Sequence, residues 1–574
     1  MPDMVLSNAN LLNVLTREIY LADIVIKAGR IAAVTPAGEH AWDAPVRRDL
    51  AGRYVTPGFM DPHIHVEGSL VTATQFARAV VPRGVTLVAH DPHEIGNVLG
   101  LGGVKLLLEE ARTVPLRMHL RVPGRIPAYP LDLETSAGEL TPEDTDFLLG
   151  LPETLCLAGD YNPQWILRAD PEQMRKVALT VALNKTVSGQ PAGVSGRSLS
   201  AFVAAGLEDS HVAVSVDEII ENQRLGLRTS LVMRPGRRLG RSDVRRLAEL
   251  LNTSALEPRF IQLSTDEVFP HDLLFEGHLD QRIRLCIEEG VDVGIAYQWA
   301  TLNVAEGLRI DRDFGSIAPG KWADLVVLDD LRTVDVAGTM IAGKFYFDEG
   351  VYHGPAGEYA YPAATCSAVR LARQLQPEDF QVRVPPDWRS ARVRAIVTDT
   401  PKRQVEADMP VVAGVVMPTG SYSYLAMVEC HRGTGHIGHA FVGGLRLERG
   451  AIASTVSHDA HNMLVIGENH ADMAFAANRL AQIGGGYIAV LNGEVLTETS
   501  LPIAGLMSPR PIEDVAEGIR HFEQILVERL GCPSASQLLM RFNVLSMANS
   551  ASCGFSDKGL IDSASMTLVG PLVA

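Results

Sequence analysis

The chain has 574 residues, 46% of them hydrophobic, which is enough to bury more than one core and excludes a disordered protein. Lysine and arginine number 51 against 68 aspartates and glutamates, and the net charge of −17 gives no general attraction for nucleic acid. A small-molecule substrate is therefore favoured, with no nucleic-acid partner.

The N-terminal stretch MPDMVLSNANLLNV lacks a basic segment followed by an apolar one, and no apolar run reaches membrane-spanning length. We therefore expect a cytoplasmic protein with no membrane partner. The six cysteines are scattered and form no C-x-x-C pair. Any bound metal must then be held by histidine and carboxylate side chains.

Short alternating runs at the start of the chain predict antiparallel strands. In DIVIKAGRIAAV (23–34), Ala28 and Gly29 fit a tight hairpin turn. Similar runs return at 323–330 and 334–347. We expect the two pieces to form one β-sandwich domain, residues 1–56 plus 311–350, which is split by an insertion.

Between these pieces, short apolar runs alternate with helical stretches, as expected of buried parallel strands. The eight candidate strands are 59–65, 85–91, 116–122, 154–160, 184–190, 210–215, 228–234 and 260–266. The fifth and sixth runs are the weakest. Eight such units predict a (β/α)8 TIM-like barrel over residues 57–310, and a doubly wound sheet is the alternative.

Catalysis in such barrels takes place at the carboxyl ends of the strands, so the polar residue that closes each run is a candidate. These residues are His63, His65, His90, Asp91, His93, Asp160, Gln190, His211, Arg234 and Asp266. Taken alone, His211 is more often bonded to backbone, and Asp266 could equally cap a helix. Together, histidines and an aspartate at one mouth predict a metal site that activates water.

The sequence resembles the adenine deaminase family of the amidohydrolase superfamily along nearly its whole length. The segments that carry the resemblance are GFMDPHIHVEGSL (58–70), GVTLVAHDPHEIGNV (84–98), SLSAFVAAGLEDSHV (198–212), LSTDEVFPHDLL (263–274), ATLNVAEGL (300–308), GSIAPGKWADLVVLDD (315–330), GAIASTVSHDAHNMLVIGENHADM (450–473) and LPIAGLMS (501–508).

This resemblance implies a metal-dependent hydrolytic deaminase that converts adenine to hypoxanthine and ammonia. It implies His63, His65, His211 and Asp266 as metal ligands. The implied catalytic residues are Asp266, His211 and Glu94, and the implied substrate contacts are His90, Asp91, His93 and Arg234. The expected cofactor is manganese(II) or iron(II), with zinc(II) as the alternative, at one or two ions per chain. We also expect a purine substrate and a homo-oligomer.

Four departures from the family pattern cluster at the barrel mouth. A bridging glutamate is replaced by Gly159 with Asp160 beside it, and a ligating histidine is replaced by Gln190. Val212 and Arg237 also differ from the family residues. These changes favour a mononuclear site, because adjacent strand residues point to opposite faces and Asp160 would reach the site only from a distorted strand.

Residues 375–574 are expected to form an additional C-terminal α+β domain of the adenine deaminase type. Its segment SHDAHN (457–462) contains two histidines, His458 and His461. They form either a structural polar cluster or a second contribution to a metal or active site. The alternatives to adenine deamination are hydrolysis of another aminopurine or cyclic amide on the same scaffold, and a catalytically silent purine-binding paralogue.

Overall fold

The computed structural model describes residues 1–127, 129–233, 239–398, 402–533, 538–547, 553–563 and 565–573. Arg234, expected to contact substrate, and Arg237 lie outside these residues. Within the described ranges, no helix combines the length and the apolar character needed to cross a bilayer.

The chain begins with strands of a largely antiparallel sheet. They are β1 (Met4–Asn13), β2 (Glu18–Lys27), β3 (Arg30–Pro36), β4 (Val46–Asp49) and β5 (Tyr54–Pro57). Ala28 and Gly29 connect β2 to β3 with φ angles of +50° and +73°. Two left-handed residues are typical of the two-residue hairpin turn that the sequence predicts here.

A parallel barrel follows. In the described part of the chain its eight strands are β6 (Phe59–Ile64), β7 (Val85–His90), β8 (Arg117–Val122), β9 (Thr154–Leu157), β10 (Thr186–Gly189), β11 (Asp209–Ser210), β12 (Arg228–Val232) and β13 (Ile261–Ser264). Each strand pairs with its neighbour in sequence, and a single bridge between Ile64 and Asp266 joins the last strand to the first. The predicted barrel is confirmed.

Helices connect and follow the barrel strands. They are α1 (Ala73–Val80), α2 (His93–Ala111), α3 (Pro142–Leu149), α4 (Gln164–Leu167), α5 (Pro171–Ala182), α6 (Gly196–Ala204), α7 (Val216–Arg224), α8 (Arg241–Asn252), α9 (Pro270–Phe275), α10 (Leu279–Glu288), α11 (Val293–Trp299) and α12 (Leu302–Gly307).

After the barrel the chain returns to the first sheet. The returning strands are β14 (Leu325–Leu328), β15 (Val336–Ile341), β16 (Lys344–Asp348) and β17 (Val351–Tyr352). Strand β14 pairs antiparallel with β5, so the two separated pieces form one continuous sheet. The barrel is inserted between them, as the sequence predicts.

The C-terminal part contains a second mixed sheet and a small three-stranded sheet. Its elements are β18 (Ser390–Val397), β19 (Arg403–Val412), β20 (Val415–Val416), β21 (Tyr422–Val428), β22 (Ile437–Gly443), β23 (Ala451–Ser454), β24 (Met463–Gly467), α13 (His470–Gln482), β25 (Gly486–Leu491), β26 (Glu494–Ser500), α14 (Ile512–Glu528), α15 (Leu538–Asn543), β27 (Cys553–Ser556), β28 (Gly559–Asp562) and β29 (Thr567–Val569).

Helix α14 attaches this part to the barrel. Ile512, Val515, Ile519 and Phe522 are buried at the three- and four-residue spacing of one helical face. The helix packs against α1 and α9 of the barrel, and its apolar residues join the barrel residues in one continuous core. The barrel and the C-terminal part therefore share one hydrophobic core.

Candidate metal centre and active site

The carboxyl ends of the barrel strands bring a buried group of polar residues together. His63 is in β6 and His65 directly follows it, while Asp160, His211 and Asp266 come shortly after β9, β11 and β13. His63 is fully buried, and His211 is only 1% exposed. The four expected metal ligands therefore lie at one mouth, as the sequence predicts.

His63, His211 and Asp266 form one group of candidate ligands. The Nε2 atom of His63 lies 3.2 Å from Oδ1 of Asp266. The imidazole rings of His63 and His211 stack with their centroids 4.1 Å apart. One potential ligand atom from each residue lies within 4.8 Å of the others.

A second group shares His63 and adds His65 and Asp160. The two Nε2 atoms of His63 and His65 are 3.1 Å apart. The Asp160 carboxylate lies 3.7 Å from His63 Nε2 and 3.9 Å from His65 Nε2. Its Oδ1 atom also lies 3.0 Å from His211 Nε2, so Asp160 contacts residues of both groups.

The protonation states of His63 and Asp160 fit a divalent cation. Burial and the neighbouring His211 lower the pKa of His63 well below its usual value, which favours the neutral imidazole. Burial alone would raise the pKa of Asp160, but His211 and His63 lower it well below the usual range. Neutral imidazoles and ionised carboxylates are the forms that bind metals.

The orientation of His65 also fits a metal ligand. Its Nδ1 atom lies 3.0 Å from the backbone carbonyl oxygen of Asp91, to which an Nδ1–H donates. That hydrogen bond leaves the lone pair on Nε2, the atom that faces His63. A backbone acceptor behind a ligating imidazole is the usual arrangement at metal sites.

Asp160 reaches the site because the regular strand has already ended, which is the condition that the sequence analysis placed on its use. Strand β9 ends at Leu157, so Asp160 lies beyond the strand and strict alternation of faces no longer applies. Gly159 cannot carry a side chain here, since a Cβ atom would lie 2.5 Å from the Cα atom of Gly189. The residue beside the glycine supplies the carboxylate instead. Gln190 directly follows β10 at the same end of the barrel.

The segment after β7 lies beside these ligands. His93 Nδ1 lies 3.5 Å from the Asp91 carboxylate, and the His65 and His93 ring centroids are 4.5 Å apart. His90, the last residue of β7, is fully buried, and burial is the main cause that lowers its pKa to about 3. His90 is therefore a neutral imidazole in the interior of the barrel.

The SHDAHN segment reaches Glu94 at the edge of this site. His458 Nδ1 lies 2.8 Å from Oε1 of Glu94, and His461 Nε2 contacts the other carboxylate oxygen, Oε2. The second nitrogen of His458 lies 3.0 Å from Glu267. Of the two interpretations that the sequence left open, the structure therefore favours a contribution to the barrel site.

Charge explains how so many buried ionisable groups are tolerated here. Burial raises the pKa of the Glu94 carboxyl, but His458, His93 and His461 outweigh that effect and hold the pKa well below its usual range. Burial lowers the pKa of His458, whereas Glu94 and Glu267 raise it well above the usual value. Glu94 is thus an ionised carboxylate among imidazoles.

Glu267 is a site residue that sequence reasoning missed. It directly follows Asp266 in the segment STDE, and that adjacency was the available signal. Glu267 also borders a cavity of about 510 Å³ between the barrel and the C-terminal part, which Met233, Phe269 and Met540 help to line. Charged and polar side chains line this cavity as much as apolar ones do, and its lining residues do not include the candidate metal ligands of the barrel mouth.

Comparisons with known proteins agree with this architecture. Residues 54–189 and 197–346 match the amidohydrolase family, and residues 399–567 match the adenine deaminase C-terminal domain. An adenine deaminase of Moorella thermoacetica is 36% identical over 99% of this chain and 95% of its own length. Adenine deaminase 3 of Rhizobium meliloti is 36% identical over 98% of this chain and 94% of its own length. Over nearly its full length, the chain therefore belongs to the adenine deaminase family.

Proposed function

We propose that this protein catalyses the hydrolytic deamination of adenine to hypoxanthine and ammonia. The observation that carries the proposal is the convergence of three histidines and two aspartates at the mouth of an amidohydrolase-type barrel. Relatives that match nearly the full chain bear the name adenine deaminase. The reaction is hydrolysis of a carbon–nitrogen bond in a cyclic amidine.

His63, His65, His211, Asp266 and Asp160 are the residues proposed to hold the metal. When bound, a divalent cation supplies Lewis acidity and lowers the pKa of water toward neutrality. Two ions per chain are favoured over one, because the Asp160 carboxylate contacts both groups of ligands and would offset the repulsion between two cations. Manganese(II) or iron(II) is proposed, with zinc(II) as the alternative.

Proton transfer is assigned to two carboxylates, those of Asp266 and Glu94. Asp266 is proposed to accept a proton from the attacking water and to deliver it to the departing amino group, because its carboxylate lies beside His63. Glu94 is proposed to pass a proton to the purine ring from His93, whose Nε2 atom lies 3.3 Å from Oε1 of Glu94. His211 is proposed to support catalysis by holding Asp160 in place through their 3.0 Å contact.

Substrate contacts are assigned to residues near the mouth. Asp91 and His93 lie against His65 and are proposed to contact the purine, together with His90 and Arg234. A cytoplasmic location and a homo-oligomeric state stay predictions.

The decisive experiment combines elemental analysis of the purified protein with an ammonia-release assay on adenine and on a panel of other aminopurines and cyclic amides. We expect at least one tightly bound divalent ion per chain and ammonia release from adenine. A His63→Ala, His65→Ala double variant serves as the control and should lose both. Metal-loaded protein that releases ammonia only from another substrate would assign the alternative activity, and protein that binds no metal would indicate a silent paralogue.

A further inference from the structure

The loop between β23 and β24 is held firmly against the barrel mouth. The backbone N–H of His458 donates to the carbonyl oxygen of Asn543 at 3.0 Å, and that of His461 donates to the carbonyl oxygen of Ser457 at 2.9 Å. The Asn462 side-chain amide donates to the carbonyl oxygen of Thr135, in the barrel, at 2.8 Å. Bonds within the loop and across to the barrel therefore limit the movement of both imidazoles.

Glu94, His458 and His461 form a buried set that we call the Glu94 cluster. Each oxygen of the carboxylate faces a different imidazole: Oε1 faces His458 Nδ1 and Oε2 faces His461 Nε2. All three residues are at most 3% exposed. Because two N–H donors occupy both oxygens, the carboxylate cannot rotate about its last bond without losing a hydrogen bond.

This arrangement has a consequence for Glu94. The residue lies in the first turn of α2, directly after His93, and is the barrel residue assigned to proton transfer with the substrate ring. A carboxylate transfers a proton efficiently only when its oxygen is held at the correct distance and angle. In this structure the imidazoles that hold it come from the C-terminal part of the chain.

We propose that His458 and His461 are positioning residues for Glu94, so that the C-terminal domain completes the active site of the barrel. The inference rests on the proposed deaminase function. Neither imidazole is assigned to bond making or bond breaking. Their role is to orient the Glu94 carboxylate. Glu94 lies 367 positions before His461 in the sequence.

The test uses the different reach of asparagine and glutamine side chains. The asparagine amide nitrogen is two bonds from Cβ, as is histidine Nδ1, and the glutamine amide nitrogen is three bonds from Cβ, as is Nε2. His458→Asn and His461→Gln therefore keep a donor near the native position, whereas His458→Gln and His461→Asn displace it. All four variants keep a polar amide in place of the ring, so a general effect of losing the imidazole is common to each pair.

We expect the displaced variants to lower kcat about 100-fold, the cost of misplacing a reacting group by about 1 Å, and the matched variants to stay within about tenfold of wild type. Bound metal, the thermal unfolding midpoint and the dissociation constant for hypoxanthine should be nearly the same across all four. As a control, His439→Gln in the same domain should leave kcat unchanged, because the amide can still donate to the carbonyl oxygen of Asp379, which lies 2.8 Å from His439 Nε2.

Several results would overturn the inference. Equal kcat in the matched and displaced variants would show that donor position does not matter. Loss of one metal ion per chain in all four variants would show that the cluster is a cation site instead. Failure of the proposed function is distinguishable, since wild-type protein would then release no ammonia from adenine, whereas failure of this inference requires an active wild type.

Discussion

Asp266 combines a left-handed backbone conformation with a buried carboxylate. Its φ angle is +64°, and its Oδ1 atom lies 3.2 Å from His63 Nε2. Asparagine tolerates this conformation better than most residues and is nearly isosteric. We therefore predict that Asp266→Asn folds normally but loses activity about 100- to 10,000-fold, because the amide cannot accept and deliver a proton.

Steady-state ammonia release, paired with thermal unfolding, checks this prediction. Metal content should be measured in the same samples, because Asp266 is also a proposed ligand. Activity within tenfold of wild type in the metal-loaded variant would remove Asp266 from the proton-transfer role.

At the scale of single residues, the sequence predicted part of the site. His63, His65, His211 and Asp266 were among the polar residues that strand ends bring to one edge, and the family resemblance singled them out as ligands. Asp160 could not be assigned its role, because that depends on where β9 ends and on the close approach of Gly159 to Gly189. Neither is visible in a spacing pattern.

Asp61 links the first and last barrel strands. Its carboxylate accepts hydrogen bonds from the backbone N–H of His63 at 3.1 Å, the Ser264 hydroxyl at 3.2 Å and the Thr265 hydroxyl at 2.6 Å. These bonds hold the segments that carry His63 and Asp266, where the barrel closes through a single bridge. We predict that Asp61→Ala costs about 2–4 kcal/mol of unfolding free energy, because several buried donors lose their acceptor.

Urea unfolding of wild type and variant at neutral pH measures this cost. The exposed Asp387 provides a matched control, and Asp387→Ala should leave the transition unchanged. A cost below about 0.5 kcal/mol for Asp61→Ala, the range of ordinary surface substitutions, would show that the barrel closes without this carboxylate.

Glu429 gives a pH-dependent prediction for a loop that follows β21. Its carboxylate accepts backbone N–H bonds from His431, Arg432 and Thr434 at 2.5–2.6 Å. Burial raises the pKa of Glu429, but these bonds lower it below its usual value. A lowered folded-state pKa stabilises the protein above the unfolded pKa, and that stabilisation is lost as the pH falls through the folded pKa.

We therefore predict that Glu429→Gln destabilises the protein by about 1–2 kcal/mol at pH 7, because a neutral amide oxygen accepts these bonds less strongly. The difference from wild type should shrink below about pH 4, where glutamate becomes protonated in the unfolded chain. Urea unfolding of wild type and variant at pH 7 and below about pH 4 measures this difference in unfolding free energy. A difference that grows on acidification would contradict the predicted direction of the pH dependence.

Among elements, the barrel strands were the most predictable and the C-terminal contacts the least. Of the two weak runs, the fifth contains β10, whereas the sixth overlaps the two-residue strand β11 only at Ser210. Their apolar character reflects burial on both faces, which a single sequence displays. The approach of His458 to Glu94 depends on how the C-terminal part packs on the barrel, and no periodicity in the sequence encodes that packing.

At the scale of the whole molecule, metal should contribute to stability as well as to activity. A ligand that binds only the folded state stabilises it by about 2.7 kcal/mol at a free concentration of 100 times its Kd. We predict that removal of metal by a chelator lowers Tm and abolishes deamination, and that adding manganese(II) reverses both. The His63→Ala, His65→Ala variant is the control and should show no metal-dependent shift in Tm. An unchanged Tm on metal removal in wild type would contradict the prediction.

The pairing of β5 with β14 also affects how the chain is made. Residues 54–57 of β5 meet their partner at residues 325–328, about 270 residues later in synthesis. At roughly 5–20 residues per second, the edge of β5 waits on the order of tens of seconds for that partner. Until then it presents unpaired backbone groups to other nascent chains. Chaperones that shield this edge during translation should therefore raise the yield of folded protein without changing its final stability.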